Sequence, residues 1–457
     1  MNAICGSVTG GCYRYSFRSY NAEVRHLILN LFLLLYRILW VPLLPLILIY
    51  LWRRGKRDPD YSRYIAERFG FYRQPLPQDA LWFHAVSLGE TRSAIGLIKL
   101  ALARGDKIVL THFTPAGRRE AEQQFSAEIA AGQLAAIWVP FDMRWCYRRF
   151  FRACRPKIGL TLEVEIWPAM IFAAKAVGVP LYMCNSIYGT GPFARDSRGL
   201  RLRQRIIKGF SGAFVKSETQ AERFASVGLE NITVTGELRF DQPVPRALID
   251  SADRLCPALA SGREIVTIAS GVEGEEQLFA QVVKDLVGKA RNNNQPAPLF
   301  VYVPRAPERF DAVVDGLNQA GLYVLRRSEV LDPNFEKVAQ TEGADVLVGD
   351  SLGEMFFYLA LADRVVVGGG FTPRGAHNII EPLMLMKPVL TGPHTWTIEY
   401  PFAEAESAGV AVSLPDQAAL IAALSQPTTS NVERIEAFLA EHGGASVRTL
   451  AAIDKAI

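Results

Sequence analysis

Cysteine is scarce in this 457-residue chain: six residues with no C-x-x-C pair, which argues against a disulfide framework and a zinc site. A reducing compartment fits that usage. Internal repeats of about 20–50 residues, coiled-coil heptads and low-complexity tracts are also missing, so solenoid, fibrous and disordered classes fall away. No H-E-x-x-H occurs, and D-x-D appears only as DPD at 58–60. A metal site is therefore not expected, and no cofactor motif stands out. Charge excess is small as well, at +4. Residues 1–60 carry eight Lys/Arg against three Asp/Glu, whereas the other 397 residues carry 42 against 43. The basic excess thus belongs to the N-terminal segment and offers no face for nucleic acid.

What is present is a globular composition, 49% hydrophobic and 21% charged, at a length that suggests two domains. Residues 27–52, LILNLFLLLYRILWVPLLPLILIYLW, are almost wholly apolar and long enough to cross a hydrocarbon core as a helix. A central Arg37 costs roughly 2.5–3.5 kcal/mol, which the apolar neighbours offset. The basic RRGKR at 53–57 suits an anionic cytoplasmic leaflet and places the rest of the chain in the cytoplasm. Pro42, Pro45 and Arg37 keep a shallow, interfacial insertion open beside a full span. A buried core helix and a cleaved signal peptide are the competing readings; the run is too long for the latter, with no small-residue cleavage site after it. Residues 1–26 read as an N-terminal arm without clear pattern.

Past residue 80 short apolar runs alternate with helical patterns, the mark of parallel α/β sheets. Strands are expected at 81–86, 107–111, 135–139, 157–161, 179–184, 212–216 and 231–235. A second set falls at 265–269, 299–303, 322–326, 345–348, 364–368, 388–391 and 409–413. The fold class is α/β with two Rossmann-like, doubly wound domains, 58–241 and 261–457. They would be joined by a proline-bearing linker at 242–260 and would face a cleft. GT-B glycosyltransferases are built this way, as are some epimerases and phosphorylases, so fold alone does not choose the chemistry.

Ligands in such sheets bind at the C-terminal ends of strands, which makes the loops there the informative places. In SLGE (87–90) the carboxylate of Glu90 would stand at a helix N-terminus, able to take a proton from an attacking hydroxyl. Ser87 and Glu90 also match a plain capping box. Glu163 and Glu165 follow a strand on alternate positions and could share a face, implying a cation, a hydroxyl-rich ligand or Arg partners; a solvated strand end is the bland alternative. Ser270 and Gly271 offer backbone N–H groups toward a phosphate. Arg305, after Pro304, and Arg309 are suited to phosphate or a carboxylated sugar. Gly349, Ser351, Gly353 and Glu354 follow another strand. VVVGGGF ends in glycines that permit close backbone approach. Beyond it Asn378 reads as a helix cap, and Glu381 can bond a vicinal diol. His377 and His394 flank them, His394 reading best as a structural group.

Together HAVSLGE (84–90), EVEIWP (163–168), GELRFD (236–241), EGEE (273–276), PRAPERF (304–310), GDSLGE (349–354), RGAHNIIEP (374–382) and GPH (392–394) resemble the 3-deoxy-D-manno-octulosonic acid (Kdo) transferase family, over roughly residues 30–430. The resemblance implies a membrane-bound, metal-independent, inverting GT-B enzyme without cofactor, moving Kdo from CMP-Kdo to a lipid A precursor at the cytoplasmic face of the inner membrane. Glu90 would match the catalytic base. Ser87, Gly89, Glu163 and Glu165 would serve the acceptor. The loops carrying Ser270, Gly271, Pro304, Arg305, Gly349, Ser351, Gly353, Glu354, His377, Asn378 and Glu381 would hold CMP-Kdo. Anionic inner-membrane lipids are the remaining expected partner. The chain departs from the family's usual pattern with NSI at 185–187, SGV at 270–272, Ala306, Ala376 and Glu237. A divergent GT-B transferase on a related nucleotide sugar, and a non-catalytic membrane-anchored scaffold, are the alternatives those departures leave.

Overall fold

The computed structural model describes residues 11–427 and 431–457, with side chains from residue 27 onward. Of the expected arm 1–26, residues 1–10 and the side chains of 11–26 lie outside the described residues. The backbone of 11–26 begins one long helix, Gly11–Gly55, which runs through Pro42 and Pro45 without a break.

The chain forms two compact units. The first comprises the chain up to Tyr188, Pro192–Thr235 and Ser446–Ile457; the second comprises Gly189–Gly191 and Gly236–Ala445. In the first, strands β1 (Leu81–Ala85), β2 (Ile108–His112), β3 (Leu134–Trp138), β4 (Ile158–Leu162), β5 (Leu181–Ser186), β6 (Gly212–Val215) and β7 (Ile232–Val234) pair in parallel in the order β3-β2-β1-β4-β5-β6-β7. The second carries β8 (Ile265–Gly271), β9 (Leu299–Pro304), β10 (Val324–Arg326), β11 (Val346–Val348), β12 (Arg364–Val367), β13 (Val389–Thr391) and β14 (Ala411–Ser413). Their order is β10-β11-β9-β8-β12-β13-β14.

All fourteen strands fall where the apolar runs placed them, shifted by two residues at most at their starts. The reason is burial on both faces: β1, β2 and β4 are buried at every residue, so they read as unbroken apolar runs rather than as alternation. In each sheet the winding reverses once, between β1 and β4 and between β8 and β12. Those reversals open the crevices in which doubly wound sheets take ligands.

Most of the stretch read as a linker is helix. Arg246–Ala260 buries Ala252, Leu255 and Leu259 in the core of the second unit, against Phe357 and Tyr358. Pro243, Pro245 and Pro257 had masked its apolar face.

Candidate active site

In the first unit the crevice between β1 and β4 gathers the expected carboxylates. Ser87 caps the helix Leu88–Ala103, its Oγ accepting the Glu90 N–H at 3.3 Å. Glu90 accepts from the Val86 N–H at 2.7 Å and the Ser87 hydroxyl at 3.1 Å. The capping reading therefore holds, and it does not exhaust the residue. Glu90 is buried, and desolvation pushes its carboxyl up to about 7, opposed by the Val86 N–H and reinforced by the charges of Glu163 and Glu165. A carboxylate so poised can exchange a proton near neutral pH. Gly89 lies beside it, where an added Cβ would meet only the Ser87 Oγ at 4.0 Å, so the fold itself does not demand glycine there.

Glu163 and Glu165 reach this crevice by a different backbone than expected. Glu163 adopts φ 56°, so the stretch is a turn rather than an extended run. Its Oε1 lies 3.7 Å from the buried Lys216 ammonium, which offsets part of the charge of the two carboxylates. Glu165 accepts from the Trp167 indole at 2.7 Å, and burial raises its carboxyl above the usual range. Trp167 in turn packs edge-on against His84 and Phe113.

In the second unit the glycines of GGGF serve interlocking loops first. A Cβ on Gly368 would strike the Ser270 carbonyl at 2.7 Å, and one on Gly370 the Thr391 hydroxyl and Gly392 backbone. Gly369 holds φ +90°, open to glycine at little cost. The ends of β8, β12 and β13 thus approach one another more closely than side chains allow. Ser270 itself adopts φ 61° where β8 slips register against β9, and Gly271 lies under the Tyr302 ring. The adjoining helix begins only at Glu276, so Ser270 and Gly271 do not stand at its start.

Arg305 follows Pro304 at the end of β9. Desolvation and the neighbouring Arg239 lower its guanidinium, and Glu381 opposes them. His377 feels the same cation: burial, then Arg305, pushes its imidazole down to about 4, which keeps it neutral at physiological pH. Asn378 accepts the Ile380 N–H at 2.9 Å, yet the cap position of the short helix Ile380–Met384, which carries Glu381 in its first turn, is Ile379 and not Asn378 as expected. The His394 N–H and carbonyl both bond this region's backbone, to Gly370 and Ala376. Glu354 is held by its neighbours: Arg327 grips it at 2.8 and 3.1 Å, and Ser351 donates to it at 2.6 Å. Gly349 lies against the Tyr358 ring, which explains its lack of a side chain.

Sequence reasoning missed Glu275. It is fully buried, and its two oxygens accept from the N–H groups of Val272, Gly369 and Phe371. One carboxylate therefore fastens the β8 and β12 loops across the point where the winding reverses. Its place in EGEE was visible, but two of its three partners, Gly369 and Phe371, lie more than 90 residues away. Among the described residues no group of three or more His, Cys, Asp or Glu could hold a metal ion.

Two parallel, doubly wound units with chemistry at their switch points define the GT-B class. The solved glycosyltransferase from Rickettsia africae shares that fold, at a TM-score of 0.55, 10% identity and coverage of 83% of this chain and 98% of its own. The UDP-GlcNAc 2-epimerase from Neisseria meningitidis does too, at a TM-score of 0.52, 13% identity and coverage of 82% and 100%. Residues 63–242 match the family model described as 3-Deoxy-D-manno-octulosonic-acid transferase (kdotransferase). The 3-deoxy-D-manno-octulosonic acid transferase of Bordetella pertussis is 36% identical over 423 residues, which is 90% of this chain and 96% of its own length. That of Haemophilus influenzae is 29% identical over 359 residues, covering 77% and 80%. The chain belongs to the 3-deoxy-D-manno-octulosonic acid transferase family and is a glycosyltransferase.

Proposed function

We propose that the chain transfers Kdo from CMP-Kdo, with inversion and without a metal, to a lipid A precursor such as lipid IVA, at the cytoplasmic face of the inner membrane in lipopolysaccharide biosynthesis. The observation that carries the reading is Glu90, buried at a helix start with its carboxyl raised to about 7 beside two further carboxylates. Glu90 takes the proton of the acceptor hydroxyl as that oxygen bonds to the anomeric carbon of Kdo. The bond from that carbon to the CMP phosphate oxygen breaks, and CMP leaves with the electron pair. Inversion needs one base and a stabilised leaving group.

Glu163 and Glu165 serve the hydroxyl-rich acceptor, with Lys216 offsetting their charge. In the second unit Arg305 meets the donor's anionic groups, Asn378 and Glu381 grip the nucleotide, and the neutral His377 offers a ring nitrogen. That Nε2 is buried and has no hydrogen-bond partner among the described residues. The 349–354 loop shapes the donor site, with Glu354 held by Arg327 rather than by ligand. Anchoring falls to Leu27–Gly55, 29 residues long and apolar enough to cross a membrane. Leu31, Leu34, Leu35, Ile38 and Leu39 stay more than half exposed on it, and Arg53, Arg54, Lys56 and Arg57 at its end suit anionic lipid.

The test is turnover by detergent-solubilised protein with CMP-Kdo generated in situ and a tetra-acylated lipid A precursor, read by mass spectrometry of the lipid. A gain of one or more Kdo units, lost in Glu90→Gln, supports the reading and counts the additions. No gain beside an active relative overturns it.

A further inference from the structure

Asp142 belongs to none of the motifs above, yet two separate helices of the first unit converge on it. It follows Phe141 between β3 and the helix Arg144–Cys154 and is 2% exposed. Its Oδ2 accepts from the Tyr36 hydroxyl at 2.7 Å and from the Ala169 N–H at 3.0 Å. Its Oδ1 accepts from the Met170 N–H at 2.8 Å. Ala169 and Met170 are the second and third residues of the helix Pro168–Val177, whose own cap position, Trp167, supplies no side-chain bond. A carboxylate from elsewhere in the chain therefore satisfies two of the N–H groups that every helix start leaves orphaned.

What precedes that helix gives the arrangement its interest. Residues 163–167 form the turn that carries Glu163 and Glu165, and Trp167 closes it by donating to Glu165. Asp142 fixes where the turn ends. On its other side it takes the Tyr36 hydroxyl, from the middle of the apolar helix Gly11–Gly55. The Trp40 ring lies on Phe141 at 6.0 Å, one helical turn further along. The apolar helix is thus tied to the sheet at residues 141–142, the point that also sets the acceptor-side turn.

We propose that Asp142 is a positioning residue that couples the seat of the apolar helix, through Tyr36, to the placement of the 163–167 turn, and so governs use of the lipid acceptor. The proposal rests on the acceptor role given above to Glu163 and Glu165. Burial makes the coupling strong in both directions. A carboxylate with no water around it depends on each donor it has, and losing one leaves a charge that the others must hold. Desolvation already raises the Asp142 carboxyl to about 6, against the pull of its three donors.

Tyr36→Phe in the full chain is the cleanest test, because it removes one hydroxyl and leaves the ring stacking and both backbone bonds in place. Assayed in detergent with separate titrations of CMP-Kdo and acylated acceptor, it is expected to lower kcat/KM for the acceptor roughly tenfold, the size of one charge-assisted hydrogen bond. The KM for CMP-Kdo should stay within about twofold. Asp142→Asn is expected to do the same more severely, with thermal unfolding followed alongside to separate loss of fold from loss of placement.

A second measurement needs no turnover: amide hydrogen exchange over residues 163–170 should quicken in Tyr36→Phe while β1 and β2 stay protected. Unchanged acceptor kinetics and unchanged exchange in a folded Tyr36→Phe would overturn the coupling. So would equal losses toward donor and acceptor. Failure of the wild-type chain to transfer Kdo would instead overturn the functional reading, and the exchange experiment would still decide the coupling.

Discussion

The tetrapeptide Ser-Leu-Gly-Glu occurs twice, at 87–90 and 351–354, each time just after a parallel strand. The two copies end in opposite states. In the first, the helix begins at Leu88, Ser87 caps it, and Glu90 is buried against backbone with no ion pair among the described residues. In the second, Gly353 takes φ +84°, the helix starts only at Met355, and Glu354 is clasped by both arms of Arg327. One letter string yields a carboxylate free to change its proton and a carboxylate locked as a structural strut. The neighbouring strand decides between them: β10 delivers Arg327 to one, while β4 delivers Glu163 and Glu165 to the other. Function at such a motif follows from what the sheet order places beside it.

Removing the protonic carboxylate should have the largest effect. Glu90→Gln is expected to lower kcat about a thousandfold, the usual weight of a general base, with the fold retained because the amide oxygen can still accept from Val86. The wild-type pH profile should carry the same signature. A base works only when deprotonated, so kcat/KM should fall about tenfold per pH unit below about 7 and level off above it. A profile flat from pH 6 to 8 would deny Glu90 the role.

Breaking the strut should cost stability instead. Arg327→Leu leaves the partly exposed Glu354 without its cation and is expected to lower the unfolding free energy by about 2 kcal/mol, read by urea denaturation. Glu275→Gln should cost about 2 kcal/mol and raise the KM for CMP-Kdo, since one amide oxygen cannot replace two carboxylate oxygens facing three N–H donors. Donor affinity unchanged in that variant would mean that the glycine-lined loops are held by packing alone. The smallest effect belongs to Ser87→Ala. Loss of the cap should cost about 1 kcal/mol. Loss of its hydroxyl, which holds the Glu90 carboxyl down, should move the acid limb of the pH profile upward.

Much of this molecule is legible from its residues, for physical reasons that also mark where legibility stops. Strands such as LWFHA and IGLTL announce themselves because both faces of a parallel sheet are covered. The helix Arg246–Ala260 does not, because Pro257 lies within it and prolines precede it. Glu90, Glu163 and Glu165 were findable at strand ends. Asp142, Glu275 and Arg327 were not, since each acts on groups made adjacent only by folding, and a lone acid or base in sequence gives no sign of its partners. The glycines of GGGF were readable as a close approach, but what they approach is first of all their own neighbouring loops.

The apolar helix is clamped along one side by Phe69, Phe141 and Cys146 and bare along the other. Cutting the chain after Gly55 to obtain a water-soluble enzyme would therefore exchange one greasy surface for another. Phe141 and Cys146 would be stripped of cover, and Asp142 would lose its Tyr36 donor together with the helix. A shortened chain is a poor stand-in for the whole one, and the remedy is to repaint the outer face of the helix, at Leu31, Leu35 and Ile38, with polar side chains while leaving Tyr36 and Trp40 in their seats.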